Sequence, residues 1–200
     1  MYPGKIYDLV ERLTKIAENT KSLDIGCGPR GLGSLSNIDV GIYHKSKSQR
    51  NFVLGDAHTL PYKDNTFESV FLVEVIEHVD NPTKVLREIR RVLKKNGKLY
   101  LTTPNMIHLA VFIRYLLQKR IAIHADHINA WCWESLVWLL HNCGFKDMEV
   151  RMWGHVDEMQ KSGKPFKLYR SYRLCNLLDK LGFRWSFLYL NIFVTAAANK

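Results

Sequence analysis

The sequence contains little cysteine and no paired cysteine motif. Its four cysteines are spread over 200 residues, and no two of them form a Cys-x-x-Cys pair. A zinc ribbon and a redox dithiol are therefore excluded, because both need closely spaced thiolates. Isolated free thiols are typical of reducing compartments, so we expect a cytoplasmic protein.

Long apolar runs are also missing. The longest apolar stretch, residues 106–117, is interrupted by His108 and Arg114 and is too short to span a bilayer. The first twenty residues carry polar side chains every few positions, which is atypical of a signal peptide. We therefore expect neither a transmembrane segment nor a secretory leader.

Acidic residues are scarce relative to basic ones. The chain has 29 Lys and Arg against 19 Asp and Glu, which gives a net charge of +10. Such a surplus suits RNA or an anionic membrane surface as a partner, and equally a solvated basic face. Apolar residues make up 46% of the chain, enough for a packed core, so extensive disorder is excluded.

Predicted strands and helices alternate along the chain. Strands are predicted at 22–25, 37–42, 51–54, 69–73, 98–102, 145–153 and 188–196, and helices at 5–18, from Pro82 to the Asn96-Gly97 stop, at 106–118 and at 133–142. Alternation of this kind predicts an α/β domain with a mainly parallel sheet. We expect one domain over residues 1–200, with a basic insertion or lid at 155–184 before the last strand.

Acidic residues mark the ends of the first three predicted strands. Asp24 precedes the glycine turn Gly26-Cys27-Gly28, and Asp39 and Asp56 follow at the next two strand ends. Glycines after a first strand allow the backbone to approach a ligand, at the edge where open α/β sheets bind small molecules. A carboxylate after the second strand can accept from ribose hydroxyls, and one after the third strand can accept from an adenine amino group.

These motifs resemble those of class I S-adenosylmethionine-dependent methyltransferases, in particular the type 11 group. The similar segments are LDIGCGP, GDAHTLPYKDNTF, EVIEHVDNP and REIRRVLKKNGKLYLTTPN, in the family's order over roughly residues 20–150. The resemblance implies a Rossmann-like sheet with an antiparallel last strand, helices on both faces, and S-adenosylmethionine as cofactor. It also implies a cofactor set of Asp24, Gly26, Cys27 and Gly28 around the methionine part, Asp39 at the ribose, Asp56 and Ala57 at the adenine, and Glu74.

The chain departs from the family pattern after the glycine turn. Only 11 residues separate Gly28 from Asp39, and they include Pro29, Gly31 and Gly33. The family has a full helix at this point, so we expect this crossover helix to be shortened to a turn or a loop.

The fourth strand end carries a candidate metal site. Glu74, Glu77 and His78 fall within five residues, and His127 follows in a later loop. Carboxylates and imidazoles can ligate Mg²⁺ or a similar divalent cation, which would orient an acceptor hydroxyl and lower its pKa. Without a metal, His78 or His127 is the candidate catalytic general base.

The acceptor can be a small molecule or an RNA. The metal motif resembles both the metal-assisted 2′-O-methyltransferases of small-RNA 3′ ends and the quinone-pathway O-methyltransferases. The basic segment 155–184 interleaves aromatic residues, which suits nucleic acid and also an anionic membrane surface. We expect O-methylation of a small molecule such as a quinone, lipid or sugar precursor. The alternatives are an RNA 2′-O-methyltransferase and a non-catalytic cofactor-binding partner subunit.

Overall fold

A computed structural model describes residues 6–28, 31–41, 51–108, 116, 126–153 and 191–200. Its elements are α1 (Ile6–Glu18), β1 (Ser22–Ile25), β2 (Ser36–Asp39), β3 (Phe52–Leu54), β4 (Phe67–Val73), α2 (Pro82–Val92), β5 (Leu93–Pro104), α3 (Trp133–Asn142), β6 (Phe145–Trp153) and β7 (Asn191–Ala198). The predicted insertion at 155–184 and most of the predicted helix at 106–118 lie outside the described residues.

Seven strands form one sheet in the order β3-β2-β1-β4-β5-β7-β6. The pairs from β3 to β5 are parallel, whereas β7 runs antiparallel to both β5 and β6. This confirms the predicted Rossmann-like sheet with an antiparallel last strand. Because parallel strands end at the same edge, the carboxyl ends of β1 to β5 meet there.

Helices cover both faces of the sheet, as the sequence predicted. Alternate residues of a strand point to opposite faces, and in β4 Phe71 packs with Leu13 of α1, while Leu72 belongs to the core shared with α2 and α3. In α2 the buried positions are Val85, Leu86, Ile89 and Val92, which recur at helical spacing. The larger core therefore lies between the sheet and the α2–α3 layer.

The junction between α2 and β5 corrects one prediction. The helix was expected to continue to the Asn96-Gly97 stop, but it ends at Val92, and the strand begins directly at Leu93. Leu93 has extended backbone angles and is fully buried opposite Phe67. Asn96-Gly97 instead lies where the β4–β5 register shifts, with Asn96 in the left-handed region. Burial of Leu93 against the neighbouring strand thus ends the helix early.

The crossover from β1 to β2 contains no helix among its described residues, which confirms the predicted shortening. Residues 31–35 form a loop that bonds to polar side chains of the two strands. The Leu32 amide donates to Asp24 Oδ2 at 2.7 Å, and the Gly33 amide donates to Asn37 Oδ1 at 2.9 Å. Ser34 N–H donates to Ser22 Oγ at 2.7 Å. Strand side chains therefore satisfy the backbone donors that a helix would have paired internally.

The connection from β3 to β4 is a second crossover without a helix, and Arg91 of α2 holds it in place. The guanidinium donates to both carboxylate oxygens of Glu88, to Asp64 Oδ1, and to the carbonyls of Tyr62 and Leu60, at 2.7–2.9 Å. Its five N–H donors thus all have acceptors. The loop that follows Asp56 is thereby fixed against α2.

We expect Gly33→Ala to destabilise the fold strongly. A Cβ atom at Gly33 would lie 2.0 Å from the Ser36 carbonyl oxygen and 2.8 Å from the Asp24 nitrogen, both backbone atoms that cannot move independently. The free energy of unfolding should fall by about 3 kcal/mol or more.

Gly55→Ala is the matched control, because its Cβ would meet only the end of the Ile38 side chain, at 2.8 Å. It should cost about 1 kcal/mol. Urea unfolding of both variants measures the difference. Equal losses in the two variants would contradict the close packing of the first crossover.

Candidate functional site

The glycine turn after β1 lies against the loop after β4. Gly26 has a φ of +66°, and a Cβ atom there would lie 2.4 Å from Val75 Cγ2. Both the backbone conformation and the contact therefore require glycine. Gly28 also has a positive φ, and a Cβ there would meet no atom of the described residues within 4 Å. The turn thus packs on one side and is open on the other, where a ligand can approach its backbone.

Asp39, at the end of β2, binds the glycine turn. Its carboxylate accepts from the Gly28 amide and from the Gly41 amide, each at 3.0 Å. The residue is buried. The side chain predicted to hold the ribose therefore also fixes the turn, although each of its oxygens keeps a second lone pair for a further donor.

Asp24 is buried beneath the same turn, where the Leu32 amide donates to it. The pKa of its carboxyl is raised from 3.8 to about 7, mainly by burial; the hydrogen bond from the Leu32 amide opposes the rise, and the nearby charge of Asp39 adds to it. Asp24 thus lies beneath the turn, and its carboxyl gains and loses its proton close to neutral pH.

Glu74 adopts an unusual backbone conformation at the end of β4. Its φ is +54°, and its amide donates to the Thr102 carbonyl, while Thr102 Oγ1 donates to Glu74 Oε1 at 2.7 Å. The residue as a whole is exposed. Protein atoms nevertheless surround most of its carboxyl, and this desolvation raises the pKa of Glu74 to about 7. A strained residue held this firmly at a strand end is typical of a functional site.

Asp56 follows β3 at the same edge. Its Oδ1 accepts from the His58 amide at 2.9 Å and lies 2.6 Å from His58 Nδ1. The hydrogen bond from the His58 amide is the main cause that lowers the pKa of Asp56, so it is ionised at neutral pH. Ala57 is buried directly after it. The exposed second oxygen of Asp56 is available to a ligand.

Glu77, His78 and His127 form a cluster in the loops after β4 and before α3. One ligand atom from each lies within 4.8 Å of the others, and the two imidazole rings are 4.7 Å apart, edge to face. Glu77 is almost fully buried, and Thr103 Oγ1 donates to its Oε2 at 3.0 Å. Its Oε1 lies 4.0 Å from His78 Nε2 and has no hydrogen-bond partner among the described residues. Burial raises the pKa of Glu77.

The cluster contains three of the four predicted metal ligands, because Glu74 bonds to Thr102 instead. The sequence reasoning missed Thr102 and Thr103, whose hydroxyls bind Glu74 and Glu77. Their position at the carboxyl end of β5, beside β4, is the signal that could have identified them. Asp126, which precedes His127, also contacts the cluster, because its carbonyl oxygen lies 3.0 Å from His78 Nδ1.

Part of the basic charge on α2 and at the start of β5 serves the fold. Besides Arg91, Arg90 of α2 donates to the Gly144 and Asn199 carbonyls, and Lys94 of β5 donates to Glu68. A groove of about 690 Å³ runs along α1, next to Asn19 and Thr20. It lies at the edge of the sheet opposite the one that carries Asp39, Asp56 and Glu74. The carboxyl edge, with its converging carboxylates and imidazoles, is therefore the candidate site.

Known methyltransferases are similar to parts of this chain. Residues 23–101, from β1 into β5, match the family model described as "Methyltransferase domain". An uncharacterized protein of Methanocaldococcus jannaschii is 35% identical over 111 residues, which are 50% of this chain and 49% of that protein. The demethylmenaquinone methyltransferase of Thermotoga maritima is 33% identical over 97 residues, covering 48% of this chain and 42% of that protein. The chain thus spans about half the length of these relatives or less.

Solved structures share the fold over nearly the whole chain. A SAM-dependent methyltransferase from Archaeoglobus fulgidus has a TM-score of 0.66 and 20% identity, covering 95% of this chain and 93% of that one. Phosphoethanolamine N-methyltransferase 2 of Haemonchus contortus, in complex with S-adenosyl-L-methionine, has a TM-score of 0.60 and 19% identity, covering 97% and 53%. The fold is that of a class I methyltransferase. The matching segment 23–101 and this fold make the chain similar to S-adenosylmethionine-dependent methyltransferases.

Within the described ranges, no helix has both the length and the apolar content that crossing a bilayer requires.

Asp24 makes the stability of the protein depend on pH. Its pKa is about 7 in the folded chain and 3.8 as an ordinary carboxyl. Between these values the folded state binds more protons than the unfolded state, so stability falls as pH rises towards 7. Asp24→Asn keeps an oxygen for the Leu32 amide without the charge. At pH 8 its free energy of unfolding should exceed that of the wild type by roughly 2–4 kcal/mol.

Urea unfolding at pH 5 and pH 8 measures this effect. Asp147→Asn is the control, because Asp147 is exposed and its positive φ suits Asn as well as Asp. It should keep the wild-type dependence on pH. The explanation is wrong if Asp24→Asn loses as much stability between the two pH values as the wild type does.

Proposed function

We propose that this protein is an S-adenosylmethionine-dependent methyltransferase that methylates an oxygen of a small, partly apolar molecule. The observation that carries the proposal is the convergence of the glycine turn, Asp39, Asp56 and Glu74 at the carboxyl edge of a methyltransferase sheet. When bound, the cofactor supplies an electrophilic sulfonium methyl group. The protein then has to align the acceptor and exclude water.

Each part of the proposed cofactor site suits the group assigned to it. The open side of Gly26-Cys27-Gly28 lets the backbone approach the methionine part, over the buried Asp24. Asp39 offers lone pairs to ribose hydroxyls, and the ionised Asp56 offers one to the adenine amino group, next to the buried Ala57. Glu74 faces the cleft, where a positively charged ligand would favour its ionised form.

A divalent cation fits the cluster beside this site. Glu77 Oε1 is a buried carboxylate oxygen that has no hydrogen-bond partner in the part of the chain that the structure describes, and it lies 4.0 Å from an imidazole nitrogen of His78. A buried acceptor of this kind needs a cation or a donor. Glu77, His78 and His127 would hold the metal, which would lower the pKa of an acceptor hydroxyl. In the metal-free enzyme, His78 or His127 would take the acceptor's proton as the catalytic base.

Apolar residues beside the cluster favour a small-molecule acceptor. Ile128 follows His127 directly and is exposed, and its amide donates to the Glu77 carbonyl. Ile107 is exposed on the neighbouring segment, which is joined to it through the Asn105–Trp131 bridge. An apolar ring or chain that carries a hydroxyl, as in a quinol or a lipid precursor, would contact such a rim.

The alternative acceptor is a ribose hydroxyl of RNA, which the same metal ligands could orient. RNA binding would weaken steeply as salt increases, whereas binding of an apolar molecule would change little. Titration of a short RNA at low and moderate salt distinguishes the two acceptors. Tight, salt-sensitive binding would replace the small-molecule proposal with the RNA one.

Cofactor binding is the first test of the proposal. We expect isothermal titration to show binding of S-adenosylmethionine and of its demethylated product to the wild type. Asp56→Asn should weaken binding about tenfold, because a neutral amide is the poorer acceptor for an adenine amino group. Glu134→Gln, an exposed change on α3, is the control.

Failure of both compounds to bind the wild type would contradict the proposed function. Binding without transfer of a methyl group to any hydroxylated acceptor would instead indicate a non-catalytic cofactor-binding subunit.

Metal binding is tested separately, with Mn²⁺ titrated into the protein in the presence of the demethylated product. Loss of the Glu77 charge removes one of three ligands, so Glu77→Gln should weaken Mn²⁺ binding at least about tenfold. Glu134→Gln again serves as the matched control. Equal Mn²⁺ affinity in Glu77→Gln and wild type would remove the metal from the site.

A further inference from the structure

His58 lies between two carboxylates that belong to different parts of the site. Its Nδ1 is 2.6 Å from Asp56 Oδ1, and its Nε2 is 2.8 Å from Asp80 Oδ1. The second contact has the distance of an ion pair but lacks hydrogen-bond geometry, so the protonated form of the ring attracts Asp80 through charge and not through a directional bond. The imidazole is 18% exposed, whereas Asp56 and Asp80 are 61% and 83% exposed. A nearly enclosed ring therefore joins two accessible side chains.

The two carboxylates lie on the two loops that build the site. Asp56 is on the loop after β3, at the adenine position of the proposed cofactor site. Asp80 is on the loop after β4, two residues beyond His78 and directly before Asn81, whose side chain caps α2. The same loop is held from the other side, where Asn129 donates to the Val79 and Glu77 carbonyls. His58 thus joins the loop after β3 to the loop of the Glu77–His78 cluster.

We infer that His58 is a positioning residue that fixes Asp56 for the cofactor and ties cofactor binding to the order of the 74–81 loop. This inference rests on the proposed function and adds a connection between the proposed cofactor site and the Glu77–His78–His127 cluster. Because Asp56 Oδ1 is occupied by His58, the other oxygen is left to face a ligand in one orientation. A ligand that orders Asp56 will then order His58, and through Asp80 the loop that carries Glu77 and His78.

Two variants separate the two contacts of the ring. His58→Asn keeps an N–H donor close to the position of Nδ1 but cannot reach Asp80. Asp80→Asn removes only the carboxylate charge that faces Nε2 of the ring. His58→Ala removes both contacts. His141→Asn is the matched control, because His141 is exposed on α3.

The probe is the demethylated cofactor product, and the readouts are its affinity by isothermal titration and hydrogen exchange of peptides covering residues 26–28 and 74–81. In the wild type and His141→Asn, both peptides should gain protection on binding. His58→Ala should bind about tenfold more weakly. His58→Asn and Asp80→Asn should bind within about threefold of the wild type, keep the protection at 26–28, and lose it at 74–81.

Unchanged protection of 74–81 in both His58→Asn and Asp80→Asn, with wild-type affinity in His58→Ala, would overturn the inference and leave the proposed function standing. A general loss of protection in every peptide of these variants would overturn it as well, because it would indicate a structural role. If the wild type bound no product at all, the proposed function would fail, and the inference with it.

Discussion

The site depends on two buried carboxylates that hold the first crossover as a loop. Asp24 accepts from the Leu32 amide, and Asp39 accepts from the Gly28 amide. In a methyltransferase with a helix here, helical bonds would satisfy those donors; in this chain, strand side chains satisfy them instead. The same carboxylates are the ones assigned to the cofactor. The same residues would therefore support the loop and prepare the proposed cofactor site.

The cleft carries more negative charge than the protein as a whole would suggest. The chain has a net charge of +10, but Asp24, Asp39, Glu74 and Glu77 converge at one edge of the sheet, and desolvation raises the pKa of several of them. A cationic ligand relieves that cost, because it favours the ionised carboxylates. A sulfonium cofactor and a divalent cation both meet this requirement, whereas the charges of Arg90 and Arg91 on α2 are bound within the fold.

The sequence predicted a structural feature correctly where the residues present suit only one local structure. The glycine turn, the acids at strand ends, the short crossover and the antiparallel last strand were all predicted and confirmed. The end of α2 was not, because Leu93 suits a buried helix face and a buried strand equally, and only its pairing with Phe67 decides between them. The contacts of His58 could not be predicted either, since they depend on which loops meet in space.

A crystal structure with the demethylated cofactor product would test the central claim most directly. We predict density for the methionine part over Gly26 and Gly28, with ribose hydroxyls at Asp39 and the adenine amino group at Asp56. The first crossover should remain a loop, with the Leu32 amide still bonded to Asp24. Density elsewhere on the sheet, or a first crossover rebuilt as a helix around the ligand, would contradict the account.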